Sequence, residues 1–278
     1  GNFGEAIKCL KRVLEEYPDD DVAMYNIAMC YDALNEPKNS VEYFKQFIEN
    51  NPYSELAWYH LGITYGKLKQ HKKAIESLEY SLLVDEQFTA AYYEIARMYE
   101  RQEKYELAAE TYQRSIEFDE PTGYIYYKLG HCYLQLNKTK QAFRNFKRAI
   151  KEDEELDEAY LEMAAIEITN GKIQEALHYL NKALTLDPDN PDYLFTAVQV
   201  YDKADMKLEM IKTYKKIIAL GFDDDEVFMD YAEVLIELDE VDDALTILEE
   251  GVTKHPESDD IHLMMAGYLL AITEYEKA

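Results

Sequence analysis

Glycine and proline are scarce in this sequence, with 10 and 7 copies in 278 residues. A sheet protein of this length needs many turns, and turns are built largely from these two residues. Their scarcity, together with 47% hydrophobic residues, favours long helices around a packed core over a sheet or a disordered chain.

Cysteine is also rare, and Cys9, Cys30 and Cys132 include no CxxC pair. An odd number of dispersed cysteines indicates neither a disulfide framework nor a zinc knuckle. We therefore expect a reducing compartment, with a cytoplasmic location as the simplest interpretation. The opening residues, GNFGEAIKCL, start in the middle of a structural unit, which favours a segment excised from a longer chain.

Basic residues are outnumbered, with 29 Lys and Arg against 56 Asp and Glu, a formal net charge of −27. Residues 157–278 hold 9 basic and 29 acidic side chains, so 9 − 29 = −20 of that charge falls there. Duplex nucleic acid and anionic membranes would be repelled. No apolar run approaches the roughly 18 residues of a membrane span. We therefore expect protein partners, no nucleic acid and no membrane.

What the sequence does contain is a repeat. The doublets Met24-Tyr25, Trp58-Tyr59, Tyr92-Tyr93 and Tyr126-Tyr127 recur every 34 residues without an insertion, which is typical of a stacked array. With Asp21 as position one, the complete units are 21–54, 55–88, 89–122, 123–156, 157–190, 191–224 and 225–258, and half units cover 1–20 and 259–278. We expect a single array over residues 1–278.

Small and large side chains alternate within each unit. Position eight is Ala or Gly in every unit except at Val198, and position twenty is small except at Met210. Positions eleven and twenty-four carry large residues, such as Tyr65 and Leu78. Positions four, seven, eight and eleven share one helical face, as do twenty, twenty-four and twenty-seven, which predicts two helices per unit that cross closely at the small residues.

This pattern resembles the tetratricopeptide repeat, and the second unit is nearly consensus at Trp58, Leu61, Gly62, Tyr65, Ala74, Leu78 and Ser81. The resemblance covers the whole chain. It implies an all-α fold, a right-handed α-solenoid superhelix of helix-turn-helix repeats, and a role as a protein-interaction scaffold. Glu94 stands where the carboxylate clamp of chaperone-binding members would need arginine, so that clamp is not expected.

The second residue of each doublet, at position five, cannot face the same way as the first, because successive helical residues are about 100° apart. In tetratricopeptide repeat proteins, which this pattern resembles, position five lines the concave groove. It reads Tyr25, Tyr59, Tyr93 and Tyr127, here called the tyrosine ladder, and then becomes apolar. We expect the ladder to bind an extended peptide. The alternative is that these tyrosines only cover the neighbouring helix.

Basic side chains on the same face are Lys67, Arg97, Arg101, Lys128 and His131. In an acidic protein they would form a local positive field that selects an acidic or carboxylate-terminated segment. The alternative is that Arg97 only pairs with Glu94 and Glu100 on its own helix. Farther along the chain, acidic residues dominate the predicted groove face, including Asp202, Glu233 and Glu237. A ligand spanning the whole array would therefore need basic residues at one end.

No phosphate loop, HExxH, GxSxG or kinase motif occurs, so we expect no enzyme, no cofactor and no metal site. The preferred function is capture of a peptide or partner helix in the groove. Two alternatives stay open at this level. The array could be a spacer that associates head to tail through its half units, or a segment that positions the substrate of a longer enzyme.

Overall fold

The computed structural model describes residues 2–119 and 121–275, with only the backbone at 272–275. The chain divides into two compact units, residues 1–153 and 154–278. The ends of the expected array, Gly1 and residues 276–278, and Glu120 lie outside the described residues. Whether one continuous array runs through both units stays a prediction.

Every regular element in the described residues is an α-helix, as the composition predicts. In the unit of residues 1–153 the helices are α1 (Phe3–Glu16), α2 (Asp21–Ala33), α3 (Pro37–Asn50), α4 (Glu55–Lys67), α5 (His71–Val84), α6 (Thr89–Glu100), α7 (Tyr105–Phe118), α8 (Gly123–Gln135) and α9 (Thr139–Glu152). In the unit of residues 154–278 they are α10 (Asp157–Thr169), α11 (Ile173–Leu186), α12 (Pro191–Lys203), α13 (Lys207–Ala219), α14 (Asp225–Glu237), α15 (Val241–Lys254) and α16 (Asp259–Tyr275).

Consecutive first helices, α2, α4 and onward, start 34 residues apart, and so do consecutive second helices. Several first helices start at a polar cap: the side chains of Asp20, Ser54 and Asp224 each accept a hydrogen bond from the backbone N–H three residues later. Such caps satisfy N–H groups that have no partner inside the helix. The caps therefore determine the residue at which each of these helices begins.

The small residues of the pattern are contact points between the helices of a pair. A Cβ added to Gly62 would lie 2.6 Å from Cγ of Leu78, and one added to Gly130 would lie 2.6 Å from the ring of Phe146. Position twenty-four, which meets the small residue, is fully buried at Phe44, Leu78, Tyr112 and Phe146 in the first unit and at Leu180 and Leu248 in the second. In these six pairs a small residue at position eight accompanies a large, fully buried residue at position twenty-four.

The turn between the two helices of each pair has a backbone feature that the sequence pattern did not predict. Position fifteen has a positive φ in each complete repeat: Asn35, Lys69, Glu103, Asn137, Gly171, Asp205 and Asp239. At the end of α4, the N–H of Lys69 bonds the carbonyl of Gly66, and the N–H of Gln70 bonds the carbonyl of Tyr65. This is a Schellman termination, which usually employs glycine.

Replacing Lys69 by glycine should therefore stabilise the protein. Lys69 holds φ at 57°, a left-handed conformation that costs a side chain roughly 1 kcal/mol. We expect Lys69→Gly to raise the urea midpoint of unfolding and Lys69→Val to lower it. Asn137→Gly is the matched control, with a smaller gain because asparagine tolerates this conformation. An unchanged midpoint in Lys69→Gly would contradict the argument.

Candidate functional site

The two residues of a doublet differ in burial at Met24-Tyr25 and at Tyr92-Tyr93. Met24 and Tyr92, at position four, are buried. The tyrosine ladder, Tyr25, Tyr59, Tyr93 and Tyr127, is half-buried throughout. In these two doublets the first residue is therefore part of the core, whereas at Trp58 and Tyr126 it is half-buried like the ladder tyrosine that follows it.

The ladder tyrosines pack against the core of their own repeat. The ring centroids of Tyr25 and Phe44 are 5.7 Å apart, those of Tyr93 and Tyr112 are 6.1 Å apart, and those of Tyr127 and Phe146 are 5.9 Å apart. Each partner is the buried position-twenty-four residue of the second helix. Tyr59 packs against the buried cluster of Leu78, Ala91 and Ile95. Helix covering, the alternative stated for these tyrosines, is therefore part of their role.

Aromatic contacts also join successive repeats along the ladder. Tyr25 contacts His60 of the next repeat at 6.1 Å, and Tyr59 contacts Phe88, the last residue of its own repeat, at 5.1 Å. Tyr93 contacts Tyr124 at 6.2 Å, and Tyr124 contacts Tyr127 at the same distance. Edge-to-face and tilted pairs at these separations are favourable. Each ladder ring thus has aromatic neighbours that restrict its position, and at Tyr25 and Tyr93 one of these neighbours belongs to the next repeat.

Burial has the largest effect on the pKa of three hydroxyls of the ladder. It raises the pKa of Tyr25 and Tyr59 above the usual value. It also raises the pKa of Tyr93, where Tyr124 adds to the effect. These phenols therefore stay protonated at neutral pH and can donate a hydrogen bond to a ligand.

Two of the predicted basic residues are engaged in ion pairs. Nζ of Lys67 lies 2.7 Å from Oδ1 of Asp32, and Nη1 of Arg97 lies 2.8 Å from Oε1 of Glu94. The Arg97 guanidinium also lies over the ring of Tyr93, 5.6 Å from its centroid. The alternative interpretation of Arg97 is thus correct for Glu94. Pairing does not exclude contact with a ligand, but it removes much of the local positive field.

The other predicted cations are less neutralised. Arg101 is exposed and makes no ion pair with any residue that the structure describes. Nζ of Lys128 lies 5.4 Å from the ring centroid of Tyr124 and 5.7 Å from that of Tyr127, within cation–π range. The positive charge of this face is therefore concentrated at Arg101 and Lys128.

His131 lies beside Lys128 with one ring nitrogen buried. Its Nδ1 has no hydrogen-bond partner among the described residues, and its Nε2 is 3.5 Å from Nε2 of Gln135. Burial lowers the pKa of His131, and Lys128 lowers it further, whereas Glu100 acts in the opposite direction. His131 is therefore neutral at pH 7 and adds no positive charge to the face.

A polar cluster that the sequence did not reveal lies beneath this face. The hydroxyl of Tyr112 donates to Oε2 of Glu100 at 3.0 Å, and the thiol of Cys132 donates to Oε1 at 3.7 Å. The only sequence signal was the position of Glu100 near Arg97, and it suggested the wrong partner. Burial, reinforced by the Glu100 charge, raises the pKa of Cys132 to about 12.

The thiols should therefore differ sharply in reactivity. Because only a thiolate attacks an alkylating agent, buried Cys132 should resist iodoacetamide at pH 8 in the folded protein. Exposed Cys9 should react readily and is the internal control. Peptide mass mapping before and after addition of guanidinium chloride measures both. Equal labelling of the two residues in the native protein would contradict the described burial.

Across the described part of the chain, no group of three or more His, Cys, Asp or Glu side chains is placed to hold a metal ion. No helix found in the same part is long and apolar enough to cross a membrane. The candidate site is therefore the aromatic face of the first unit.

Stacked helix pairs of 34 residues, closed by small residues and presenting one face of the first helices, define the class of helical repeat proteins known as α-solenoids. Four family models described as tetratricopeptide repeat match residues 1–55, 43–76, 89–122 and 133–194. The chain belongs to the tetratricopeptide repeat family. Proteins of this family are in general scaffolds for protein interaction, and no catalytic family is indicated.

Solved structures support the same fold. The C-terminal part of a TPR repeat-containing protein from Cytophaga hutchinsonii has a TM-score of 0.64 at 15% identity, covering 95% of this chain and 94% of that one. YrrB, described as a TPR protein with an unusual peptide-binding site, has a TM-score of 0.57 at 21% identity over 66% of this chain and 94% of its own.

PilF of Pseudomonas aeruginosa has a TM-score of 0.59 at 16% identity, covering 77% of this chain and 97% of that chain. No curated protein sequence matches the chain significantly. These identities are all low, so the likeness to solved structures concerns the fold alone.

Proposed function

We propose that the unit of residues 1–153 is a docking scaffold that holds an extended peptide of a partner protein across the tyrosine ladder. The observation that carries this proposal is the repeated placement of the ladder: four tyrosines occupy one position in four successive repeats, each half-buried. A peptide in extended conformation would meet the same kind of ring at regular intervals.

The way in which the rings are held supports this role. Each ladder ring contacts its own repeat, and aromatic contacts link neighbouring repeats, as between Tyr93 and Tyr124. A ring fixed before binding loses little conformational entropy when a ligand arrives. Tyrosine also combines a large apolar surface with a polar tip, which suits peptides of mixed character.

The charges of the face favour a peptide that carries a carboxylate. Arg101 and Lys128 are the proposed anchors, because Lys67 and Arg97 are paired with Asp32 and Glu94. Lys67 and Arg97, which are already paired, would maintain the shape of the face. Neutral His131 would contact the peptide without adding charge. An acidic side chain or a C-terminal carboxylate would meet the guanidinium of Arg101 at the exposed end of α6.

Selection from a random peptide library displayed on phage tests this proposal directly. The parent chain should enrich peptides that combine apolar residues with a carboxylate. Tyr59→Ala/Tyr93→Ala should weaken a selected peptide by at least about tenfold, since buried aromatic contacts dominate interfaces. Arg101→Glu should weaken the same peptide, and the loss should be greatest for peptides with the most carboxylates.

Matched controls separate this face from the rest of the surface. Tyr53→Ala removes a tyrosine that is 85% exposed and lies outside the ladder. Lys147→Glu makes the same charge change as Arg101→Glu at an exposed position of α9. Both controls should bind selected peptides as the parent does. Equal losses in the controls and the ladder variants, at matched helicity, would contradict the proposal.

Self-association is a second candidate function, favoured by exposed apolar residues on α16. Leu263 is 69% exposed and Leu270 is 65% exposed. Large exposed apolar side chains on one helix are costly unless another surface covers them. Sedimentation equilibrium should then show a mass that rises with concentration, and Leu263→Glu should abolish the rise. A constant monomer mass in the parent would exclude this candidate.

A further inference from the structure

The second unit contains a cavity of about 430 Å³ between α12, α13 and α14. Val198, Met210, Tyr214 and Val234 supply its apolar surface, and Asp202, Asp230, Glu233 and Glu237 supply carboxylates. None of these residues belongs to the tyrosine ladder or to the unit that contains it. The cavity is therefore separate from the proposed peptide site.

The cavity coincides with the two departures from the small-residue pattern. Position eight is Val198 in this repeat, and position twenty is Met210, whereas the described repeats elsewhere have Ala, Gly or Ser at these places. Both residues line the cavity. Gly62 and Gly130 leave no room for a Cβ at their helix crossings, whereas Val198 and Met210 place larger side chains at positions eight and twenty. The apolar lining of this cavity is thus specific to this repeat.

The carboxylates around the cavity are only partly neutralised. Oδ2 of Asp202 lies 3.3 Å from Nζ of Lys203, and Oε2 of Glu237 lies 2.6 Å from Nζ of Lys207. Asp230 and Glu233 have no cation within ion-pair distance among the described residues. They stand three residues apart on α14, so both can face the same ligand.

The electrostatics of Asp230 agree with an excess of negative charge. Burial raises the pKa of Asp230, and nearby Glu233, Glu226 and Asp224 raise it further, whereas a hydrogen bond from Tyr214 lowers it. Burial and the charges of Asp230, Asp202 and Glu233 raise the pKa of Tyr214 in the same way. A cation entering the cavity would relieve this repulsion.

We propose that this cavity binds an arginine side chain from a basic, extended segment of a partner protein. The planar guanidinium can donate to Asp230 and Glu233 at once, which an ammonium group does less well. The three methylenes of arginine can pack on Val198 and Met210. The ring of Tyr214, which is stacked on Tyr231 at 5.7 Å, provides a rigid aromatic wall.

Fluorescence anisotropy with a labelled peptide of alternating arginine and alanine tests the proposal on the full chain. A peptide with glutamine in place of arginine is the reference. The arginine peptide should bind, and Asp230→Asn/Glu233→Gln should weaken it by about tenfold. Removing two repelling carboxylates should not unfold the protein, and circular dichroism checks this.

Because the whole chain is acidic, the decisive control has the same net charge as the variant. Glu249→Gln/Glu257→Gln removes two exposed carboxylates outside the cavity and should leave affinity unchanged. Gln199→Arg places a resident guanidinium at the cavity wall and should weaken binding by competition. The proposal would be overturned if both double variants lost the same affinity for the arginine peptide. It would also be overturned if the glutamine peptide bound the parent chain as tightly as the arginine peptide does.

Binding of the arginine peptide should not depend on the tyrosine ladder. Tyr59→Ala/Tyr93→Ala and Arg101→Glu should bind the arginine peptide as the parent does, because all three residues lie in the other unit. Loss of the arginine peptide in those variants would also contradict a site in the cavity. Failure of the library selection, in contrast, would leave the outcome of this experiment unaffected.

Discussion

The close approach of the two helices in each pair is the contact on which the rest of this structure depends. At Gly62 and Gly130 there is no room for a Cβ atom beside Leu78 and Phe146. The distance between helix axes is set by the side chains at the crossing point. Once that distance is fixed, the residue three positions earlier must pass over the same large side chain. This is why Tyr127 lies against Phe146.

The same constraint explains why one repeat differs from the others. A valine at position eight and a methionine at position twenty cannot occupy the volume of alanine or glycine, and both side chains line a cavity between α12, α13 and α14. In the tight pairs, the large residue at position twenty-four is covered by the first helix. In the pair of α12 and α13, the equivalent Tyr214 is also buried but lines a cavity. A departure from the repeat pattern is therefore more informative about specific binding than the pattern itself, since the pattern mainly serves packing.

The sequence predicted the helices well because their register is overdetermined. Small residues and large residues both repeat at 34, and either set places the other. The ion pairs are different. Glu94 and Glu100 both lie three residues from Arg97, and sequence spacing treats them alike. Only the three-dimensional arrangement shows that Glu100 accepts a hydrogen bond from Tyr112, twelve residues away, while Glu94 pairs with Arg97. The choice depends on burial and side-chain rotamers, which periodicity does not encode.

The tyrosine ladder has a packing role, and we propose that the same residues also bind a peptide. Covering the core requires only an apolar side chain, and Leu161 meets that need in the second unit. Tyrosine in the first unit adds a hydroxyl that can donate a hydrogen bond. A helix-covering function alone gives no reason for four successive hydroxyls at a half-buried position. Since Lys67 and Arg97 are already paired, the polar character of this face depends on those hydroxyls and on Arg101 and Lys128. Its selectivity should accordingly come more from ring shape and hydrogen bonding than from net charge.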